Sequence, residues 1–416
     1  MNDFLAVPPK TVLERELNNP ASPSRVSLSA TYEPKGAAVT AIQAAVGSTV
    51  APAKSDPFRY DSTRLRAFRS ALAKRETTPV DCLFITDSIG EGQGMSGTDP
   101  FAGKRWADRL KVLMRKEWQP TGVTGGYGYA TSALGLSGYT NPTTYTGTGT
   151  NGVQSSSGLS LLRVALSAGQ VVNKYFTGTG VDIVFMRNSQ GTDVTWEIDS
   201  GTRTTFNTYA AASKSGEVIQ IRGLTPGQHL VTLRVVGPNN FYFNGFMEYN
   251  GDETKGIRTW IGGRSGYRSS DFLVAGASDR LHEDYGMIQP DLVTIALGTN
   301  DFVSGTGKIA PAATAANLAT MIAAIRAKCT VPPSFILWQP AEVKNVAGAL
   351  APWSEYLTAI ENVAKADGAV TLFDAYTLMG DQAANTYGLL TADKIHPNDD
   401  GYVALADRMF ALLRAA

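Results

Sequence analysis

A block of short strand-like segments between residues 121 and about 250 interrupts a regular alternation of strand-like and helix-like segments. Outside the block, five apolar runs of strand length are interleaved with helical patterns, at residues 80–85, 256–261, 292–297, 335–338 and 370–373. Strands that alternate with helices form parallel sheets covered by helices on both faces. The sequence therefore predicts an α/β fold: a three-layer, doubly wound, five-stranded parallel sheet with an inserted domain.

The inserted block has the composition and periodicity of an antiparallel β domain. Residues 121 to about 160 are dense in Gly, Thr, Ser and Asn, and turn residues such as Pro226-Gly227 separate several of the strand-like runs that follow. These runs cover residues 181–186, 194–198, 217–221, 229–235 and 241–243. Short strands at this spacing predict an antiparallel β-sandwich.

The predicted domains follow from these changes in pattern. Residues 1–55 form an N-terminal leader, residues 56–120 and 251–416 form the α/β domain, and residues 121–250 form the inserted sandwich. The leader is interrupted by Pro8, Pro9, Pro20, Pro23 and Pro34, and small residues follow them. Such a segment tethers or oligomerises more often than it catalyses. We expect it to attach the chain to a larger assembly or to further copies of itself.

Charge and hydropathy exclude several kinds of partner. Lys+Arg and Asp+Glu are each 37, so the formal net charge is zero. The sequence has no basic stripe that would predict nucleic-acid binding, and no polybasic run that would predict binding to an anionic membrane. No stretch approaches the roughly 20 apolar residues of a membrane span. The first residues lack the charged and apolar regions of a secretory signal. We expect a protein that works inside a cell, or one that reaches the outside by another route.

The chain offers no sequence pattern for a metal or a cofactor. No Cys/His cluster or carboxylate trio has metal-ligand spacing, and no glycine-rich phosphate loop follows a strand, so we infer neither. Cys82 and Cys329 are the only cysteines, and both lie in or beside apolar segments. They predict buried free thiols rather than a disulfide framework.

Three short motifs supply the groups of a serine nucleophile site. They are Thr86–Ile89 after the first predicted strand, Gly298–Asp301 after the strand at 292–297, and Asp393–Pro397 before the last predicted helix. In open α/β sheets, ligands bind where the carboxyl ends of the strands meet. We therefore expect the three motifs to converge on one edge of the sheet.

The residue types in these motifs predict acyl transfer. An alcohol is a poor nucleophile until a base takes its proton, and the chain has only 3 histidines. His396 is the predicted base for Ser88, and Asp393, three residues earlier, can hold the imidazole through Nδ1. Charge then develops on the carbonyl oxygen, where the backbone N–H of Ser88 and the amide of Asn300 are the predicted donors. A backbone N–H from a glycine loop would complete this set.

The motifs resemble the sequence blocks of the SGNH (GDSL) hydrolase family. The family's Gly-x-Asn-Asp and Asp-x-x-His-Pro blocks are intact, and its Gly-Asp-Ser-Leu block reads Thr86-Asp87-Ser88-Ile89 here. The family's second block looks like Arg264-Ser265-Gly266, and this resemblance implies that Gly266 is the third oxyanion donor. Thr86 replaces the preferred glycine, which concerns the local turn rather than the mechanism.

The resemblance covers roughly residues 78–120 and 254–416. Ser88 and Gly266 lie much further apart than in compact members of the family, and the insertion accounts for the excess. Some carbohydrate esterases of the family carry a jelly-roll-like module beside the hydrolase domain. Long-leadered members with a sandwich also resemble, more loosely, tail-associated proteins of phages. The resemblance implies a metal-independent serine esterase whose insert presents or selects the substrate.

Each motif also has an ordinary structural explanation. Ser88 could cap the helix that follows the strand, Asn300-Asp301 could form a strand-end turn, and Asp393 and His396 could be a surface pair. Gly262 and Gly263 lie near Gly266 and compete with it for the donor role. The order of the motifs along the chain, each beside a strand end or the last helix, favours catalysis.

Structural roles are predicted for the remaining candidates. Asp87 is expected to order its turn, Asp301 to support Asn300, and His229 and His282 to be structural. The aromatic residues of the insert are expected to form its core more often than a sugar-stacking platform. They include Trp196, Phe241, Tyr242 and Phe243.

The predicted function is a serine esterase that deacylates a cell-surface polysaccharide or glycoconjugate, with acetyl removal as the specific expectation and a phage tail or virion as one setting. Two alternatives stay open at this point. One is a lipase or thioesterase that uses the same residues, which acyl-chain preference would distinguish. The other is a glycan-binding surface or virion adhesin whose hydrolase domain serves as a binding scaffold.

Overall fold

The structure is a computed structural model. It describes residues 61–97, 103–132, 145–147, 150–155, 159, 162–273, 278–303, 307–341, 343, 348–380 and 384–415. The predicted leader at 1–55 lies outside the described residues.

The helices lie mainly before and after the antiparallel strands. They are α1 (Arg66–Ala73), α2 (Ser88–Glu91), α3 (Trp106–Trp118), α4 (Ser278–Ile288), α5 (Thr299–Val303), α6 (Pro311–Lys328), α7 (Trp353–Lys365), α8 (Ala375–Met379) and α9 (Asp399–Arg414). Two 3₁₀ turns cover Ser62–Arg64 and Ser269–Leu273. Among the described residues, no helix has the length and hydropathy required to cross a bilayer.

The strands form two sheets. They are β1 (Pro79–Thr86), β2 (Gly128–Thr131), β3 (Tyr145–Gly147), β4 (Thr150–Ser155), β5 (Leu162–Leu166), β6 (Val171–Arg187), β7 (Asp193–Ile198), β8 (Thr204–Asn207), β9 (Lys214–Val235), β10 (Phe241–Tyr249), β11 (Gly256–Gly263), β12 (Leu292–Ala296), β13 (Ser334–Gln339) and β14 (Val370–Asp374).

The first sheet confirms the predicted five-stranded parallel sheet. Its described strands lie in the order β11-β1-β12-β13-β14 and are all parallel. The first strand, β1, therefore lies next to the edge strand β11, and after β11 the chain reverses direction to add β12 on the other side of β1. A crevice opens at such a reversal, at the carboxyl ends of the strands. In this protein the crevice lies where β1 and β12 end.

Alternate residues of β1 face two different cores, as a three-layer fold requires. Val80, Cys82 and Phe84 join a core that includes residues of α3 and α9. Leu83 and Ile85 join a second core that includes residues of α6 and α7. All five side chains are fully buried. Full burial of a large apolar side chain contributes about 1.5–3 kcal/mol, so β1 is central to the stability of the domain.

The second sheet is antiparallel, as predicted, and is formed by nine of the described strands. The order is β4-β5-β10-β6-β9-β7-β8, with β2 beside β10 and β3 beside β6. Phe206 on β8 pairs with Val194 on β7, and Val194 pairs in turn with the end of β9. That end of β9 pairs with the start of β6. Phe185 lies near the other end of β6, roughly 45 Å away along an extended strand.

Despite this separation along the ladder, the sheet brings Phe185 and Phe206 together. Their ring centroids are only 5.1 Å apart, and the ring of Phe206 lies 5.9 Å from that of Phe241. The sheet must therefore curl back so that its two halves pack face to face around one core. We call the part of the chain from Gly128 to Tyr249 the β module.

The β module shares a core with the parallel sheet. Tyr129 and Met247 belong to the same apolar cluster as Leu83 and Ile85 of β1. The two parts are also joined by polar contacts, since the Ser215 hydroxyl donates to Asp284 of α4 over 2.8 Å. This shared core ties the β module to the sheet that carries the candidate site.

The two cysteines differ in their burial. Cys82 is a fully buried free thiol, as predicted, because it lies on the core-facing side of β1. Cys329 is also a free thiol, but it is only partly buried rather than buried as predicted, and it follows the last residue of α6. Burial at the end of a surface helix depends on the segments that cover it, and the local sequence does not reveal those.

Candidate active site

Ser88 is presented at the edge of the parallel sheet by a sharp turn after β1. Asp87 precedes α2, and its side chain accepts a hydrogen bond from the Ile89 N–H over 3.0 Å, so it orders the turn as predicted. Ser88 is then the first residue of the helix, where a backbone N–H has no partner within the helix. Its side chain is largely buried. The turn leaves both the hydroxyl and the N–H of Ser88 available for chemistry at one point.

Two glycines explain how Thr86 is accommodated in place of the family's usual glycine. A Cβ atom on Gly90 would lie 1.5 Å from the Thr86 hydroxyl oxygen, and one on Gly263 would lie 2.5 Å from it. Both neighbours therefore leave the space that the threonine side chain fills.

His396 connects Ser88 to Asp393. The Ser88 Oγ lies 2.8 Å from His396 Nε2, and His396 Nδ1 lies 2.7 Å from Asp393 Oδ2. The Asp393 carboxylate also accepts from the Ile395 N–H at 2.8 Å and the His396 N–H at 3.0 Å. Lys394 between them has a φ of 60°, which closes the loop tightly enough for these contacts. The sequence-predicted nucleophile, base and carboxylate thus lie in one hydrogen-bonded chain.

The pKa of Asp393 lies well below its ordinary value. Burial alone would raise this pKa, but hydrogen bonds from the His396 side chain, the His396 and Ile395 backbone N–H groups and the Thr391 hydroxyl outweigh that effect. The carboxylate is therefore ionised throughout the neutral range. An ionised partner at Nδ1 keeps the proton on that nitrogen and leaves Nε2 free to accept from Ser88.

The predicted oxyanion donors Gly266 and Asn300 follow the two strands, β11 and β12, that lie on either side of β1. Asn300 lies in α5, directly after β12, and its Nδ2 donates to the Tyr267 carbonyl over 3.0 Å. An amide has two N–H groups, so this bond leaves one for a ligand. Because Tyr267 follows Gly266, the bond ties the Asn300 side chain to the loop that carries Gly266.

The three competing glycines occupy different environments. Gly262 and Gly263 lie within β11 and pair with Ile85 and Thr86 of β1. Gly266 lies beyond the strand with a φ of 77°, and nothing is within 4 Å of the position of its missing Cβ atom. Only Gly266 of the three therefore lies in the open part of the loop. This supports the assignment of Gly266, although its role as a donor stays a prediction.

Asp301 supports the same loop. It is fully buried, and its Oδ1 accepts from the Ser269 N–H at 2.9 Å and from the Ser269 hydroxyl at 3.2 Å. Burial raises its pKa, while the bonds from Ser269 lower it in part. These contacts connect the residue next to Asn300 with the chain just after Gly266, which is the supporting role that the sequence predicts.

Glu91 is a buried residue of the site that the sequence reasoning missed. It lies one turn after Ser88 in α2, and its carboxylate is 3.8 Å from the Arg264 guanidinium. Burial raises its pKa to about 7, against the opposing effects of Arg264 and the Ser265 backbone N–H. The available signal was Ser88-x-x-Glu91, which has the form of a helix capping box. The side chain instead faces the loop after β11.

The other candidate histidines have different outcomes. His229 lies in the β module, with Nδ1 2.6 Å from Asp199 Oδ2 and Nε2 2.7 Å from the Thr225 carbonyl. Both nitrogens are therefore occupied, as a structural role requires. The side chain of His282 lies outside the described residues. Within the described residues, no group of three or more His, Cys, Asp or Glu side chains could hold a metal ion.

The aromatic residues of the β module divide between core and surface. Phe241 and Phe243 are fully buried, and Trp196 packs against the same core, which confirms the core interpretation for these three. Tyr242 points away from that core, and the Arg163 guanidinium lies 4.5 Å from its ring centroid. The alternation along β10 accounts for the difference between Tyr242 and its neighbours.

Comparison with known proteins gives a family match for the C-terminal part of the chain. Residues 239–404 match the GDSL-like lipase/acylhydrolase family. The match contains Gly266, Asn300, Asp393 and His396 but not Ser88, because the β module separates the first motif from the others. No curated protein sequence matches the chain significantly.

Solved structures resemble the chain over larger parts of its length. A peptidoglycan O-acetylesterase, 17% identical, covers 87% of this chain and 99% of its own with a TM-score of 0.61, which shows a common fold. A family 2 carbohydrate esterase from Corynascus thermopiles (Myceliophthora fergusii) is 18% identical over 60% of this chain and 95% of its own, with a TM-score of 0.31. A putative GDSL-like lipase from Parabacteroides merdae is 16% identical over 38% and 74%, with a TM-score of 0.32.

The family match confirms the resemblance that the motifs indicated. The chain carries a GDSL-like lipase/acylhydrolase domain. This domain supports a carboxylic ester hydrolase, and the fold is one that a peptidoglycan O-acetylesterase shares.

Proposed function

We propose that the protein is a serine esterase that removes acyl groups, acetyl in particular, from a cell-surface carbohydrate. The observation that carries the proposal is the unbroken chain from Asp393 through His396 to Ser88, with distances of 2.7 and 2.8 Å. In this proposal Ser88 is the nucleophile, His396 the base and Asp393 the group that holds the imidazole. These three hydrogen-bonded side chains lie at the crevice where an open α/β sheet binds its ligands.

In the acylation step, Ser88 Oγ attacks the carbonyl carbon of the ester while His396 Nε2 takes the hydroxyl proton. The imidazolium that forms is stabilised by the ionised Asp393. When the tetrahedral intermediate collapses, the bond to the sugar oxygen breaks and His396 gives its proton to that oxygen. The sugar leaves as an alcohol, and the acyl group stays on Ser88. Water then repeats the sequence with His396 as base and releases the acid.

The developing negative charge on the carbonyl oxygen requires donors that are already oriented. The N–H of Ser88, the N–H of Gly266 and the free N–H of the Asn300 amide are the proposed donors. One donor of this kind contributes about 3–4 kcal/mol to transition-state stabilisation. Support comes from the Asn300 bond to the Tyr267 carbonyl, because it holds two of the proposed donors on connected segments.

The β module supports a carbohydrate as the substrate. Its described segment at Leu159 packs onto β11, since a Cβ atom on Gly262 would lie 2.2 Å from the Leu159 carbonyl oxygen. The module thus reaches the strand that leads into the Gly266 loop. One outer surface of its sheet offers hydrogen-bonding groups, including Asn173 paired with Thr232 and Glu197 paired with Arg203. Such groups match a hydroxyl-rich ligand better than an acyl chain.

A direct assay tests the proposal. The purified protein and its Ser88→Ala variant are compared on acetylated polysaccharides and on aryl esters of increasing acyl length. We expect acetate release by the wild-type protein, none above background by the variant, and a preference for the shortest aryl ester. Preference for long acyl chains would instead favour the lipase or thioesterase and would reject the carbohydrate substrate.

A binding experiment addresses the adhesin alternative. Ser88→Ala and wild-type protein are both passed over immobilised acetylated glycan. Retention of both proteins, without turnover by either, would favour a binding scaffold and reject the esterase. Labelling by a fluorophosphonate, followed by identification of the modified residue, should report Ser88. The virion setting and attachment through residues 1–55 stay predictions.

A further inference from the structure

We infer that Glu91 is a positioning residue that holds the Arg264-Ser265-Gly266 loop, and with it the Gly266 N–H, at the distance from Ser88 that catalysis requires. This inference rests on the proposed function and adds a residue that the family motifs do not include. Glu91 makes no contact with the reacting atoms in this scheme. It acts through the loop of residues 264–266, which we call the oxyanion loop.

The first observation is that the end of β11, which leads into the oxyanion loop, packs closely against the turn and helix that carry Ser88. A Cβ atom on Gly263 would lie 3.3 Å from both the Asp87 carbonyl oxygen and the Glu91 backbone nitrogen. The Arg264 N–H donates to the Thr86 carbonyl over 3.2 Å. The end of β11 is thus fixed against the turn that carries Ser88. Beyond Arg264 this ladder stops, so the rest of the loop needs other contacts.

Glu91 supplies the next contacts along the loop. Its carboxylate lies 3.8 Å from the Arg264 guanidinium, and the backbone N–H of Ser265 stabilises its charged form. The Ser265 hydroxyl donates to the Gln93 side chain over 3.2 Å, so a second residue near α2 contacts the same position. Each residue before Gly266 is therefore tied to the segment that begins at Ser88. Gly266 itself has free space around it.

A buried carboxylate at this place requires an explanation other than stability. Glu91 is 6% exposed, and among the described residues its Oε2 has no hydrogen-bond partner. Burying an incompletely paired carboxylate costs free energy that an apolar side chain would avoid. A cost of this kind is typical of groups kept for geometry at an active site. Glu91 emerges from the same short helix as the nucleophile, so it links the two halves of the oxyanion site.

The test compares Glu91→Ala with Glu91→Gln in the full-length protein. A displacement of about 1 Å can cost roughly 10²-fold in rate. We expect Glu91→Ala to lower kcat about 10²-fold with KM changed by less than about threefold, because the Arg264 guanidinium at the start of the loop loses its buried partner. Glu91→Gln keeps an oxygen acceptor at the same position and should recover most of the lost kcat. The rate of Ser88 modification by a fluorophosphonate should fall and recover in parallel.

Glu253 provides the matched control. It is also a buried glutamate beside an arginine, with Arg115 at 3.5 Å, and it accepts from the Gly126 backbone N–H at 2.6 Å. It differs from Glu91 in that it lies just before β11 begins, whereas Glu91 contacts the loop that follows the end of β11. Glu253→Ala should lower the melting temperature with kcat nearly unchanged. Equal losses of kcat in Glu253→Ala and Glu91→Ala, or a Glu91→Ala kcat equal to wild type, would overturn the inference. Activity that survives in Ser88→Ala would overturn the proposed function instead.

Discussion

The protein contains two Asp–His pairs of nearly the same geometry, one at the edge of the parallel sheet and one in the β module. The Nδ1 to Oδ2 distance is 2.7 Å for His396 and Asp393 and 2.6 Å for His229 and Asp199. The histidine side chains are 11% and 9% exposed, and the aspartate side chains are 45% and 48% exposed. Distance and burial therefore do not distinguish the two pairs.

The difference lies in what the Nε2 atom contacts. In the first pair Nε2 faces the Ser88 hydroxyl, which can give up a proton. In the second it faces the Thr225 carbonyl oxygen, which can only accept one. The second imidazole therefore connects the middle of β9 to the turn after β7 and has no proton to take. An Asp–His pair becomes a candidate catalytic group only through its third partner.

Replacing the histidine of each pair should give the largest difference in kcat/KM between the two pairs. His396→Ala, like Ser88→Ala, should lower kcat/KM by about 10⁴–10⁶-fold, because the residues of such a unit act together. His229→Ala should leave kcat/KM within about twofold of wild type. Steady-state hydrolysis of an aryl acetate measures both. A comparable loss in the two histidine variants would show that the geometric distinction between the pairs is wrong.

Replacing the aspartate of each pair should give a smaller difference in kcat between the two pairs. Asp393→Asn keeps the shape of the loop but allows the wrong imidazole tautomer, and a change of this kind costs about 10⁴-fold in kcat. Asp199→Asn should have no measurable effect on kcat. The informative readout is kcat across pH 6–9 for both variants, with circular dichroism to establish that each is folded. A catalytic defect in Asp199→Asn would break the comparison.

Asn300 should matter only for the first pair, because the second has no oxyanion to stabilise. Asn300→Ala should lower kcat about 10²–10³-fold, with a much smaller change in KM, since the lost bond forms in the transition state. Asn300→Asp is the matched variant, since it keeps the size but replaces the N–H donors. If both variants kept wild-type kcat, the amide would have no place in the oxyanion site.

The smallest expected effect concerns stability and belongs to the second pair. The hydrogen bond from His229 to Asp199 raises the pKa of His229, while partial burial lowers it. The folded protein thus binds the proton more tightly than the unfolded chain does. The resulting stabilisation is complete below the unfolded pKa, near 6.5, and is lost as pH rises through the higher folded value.

Asp199→Asn should therefore lower the free energy of unfolding at pH 5 more than at pH 8. We expect a difference of roughly 1 kcal/mol, discounted because the carboxylate is about half exposed. Urea titrations at the two pH values measure it, with Asn207→Ala in the same module as a control for loss of a side-chain contact to Asp193. A variant whose loss is equal at both pH values would assign the effect to packing alone.

Much of the fold could be predicted from the sequence. Each strand of the parallel sheet is a short apolar run, and burial on both faces of the sheet selects such runs. Ser88, Asn300 and His396 could be placed because parallel strands carry their carboxyl ends to one edge. The core position of Phe241 and Phe243 followed from alternation along a strand.

Other features of the site could not be predicted. Glu91 has the sequence pattern of a helix cap, and only its contact with Arg264 shows that it faces the loop after β11. Thr86 differs from the family motif, and the sequence alone does not show that Gly90 and Gly263 leave room for it. Both cases depend on contacts between segments that are remote in sequence.

The sequence by itself determined the candidate catalytic groups of this protein: a serine, a single suitable histidine and an aspartate three residues before it, each beside a predictable element. Only the tertiary structure decided which Asp–His pair faces a hydroxyl and how the two halves of the β module curl back onto one core. The reason is physical. Periodicity and turn chemistry act over a few neighbouring residues, whereas the partner of an imidazole nitrogen is chosen by whichever distant segment folds against it.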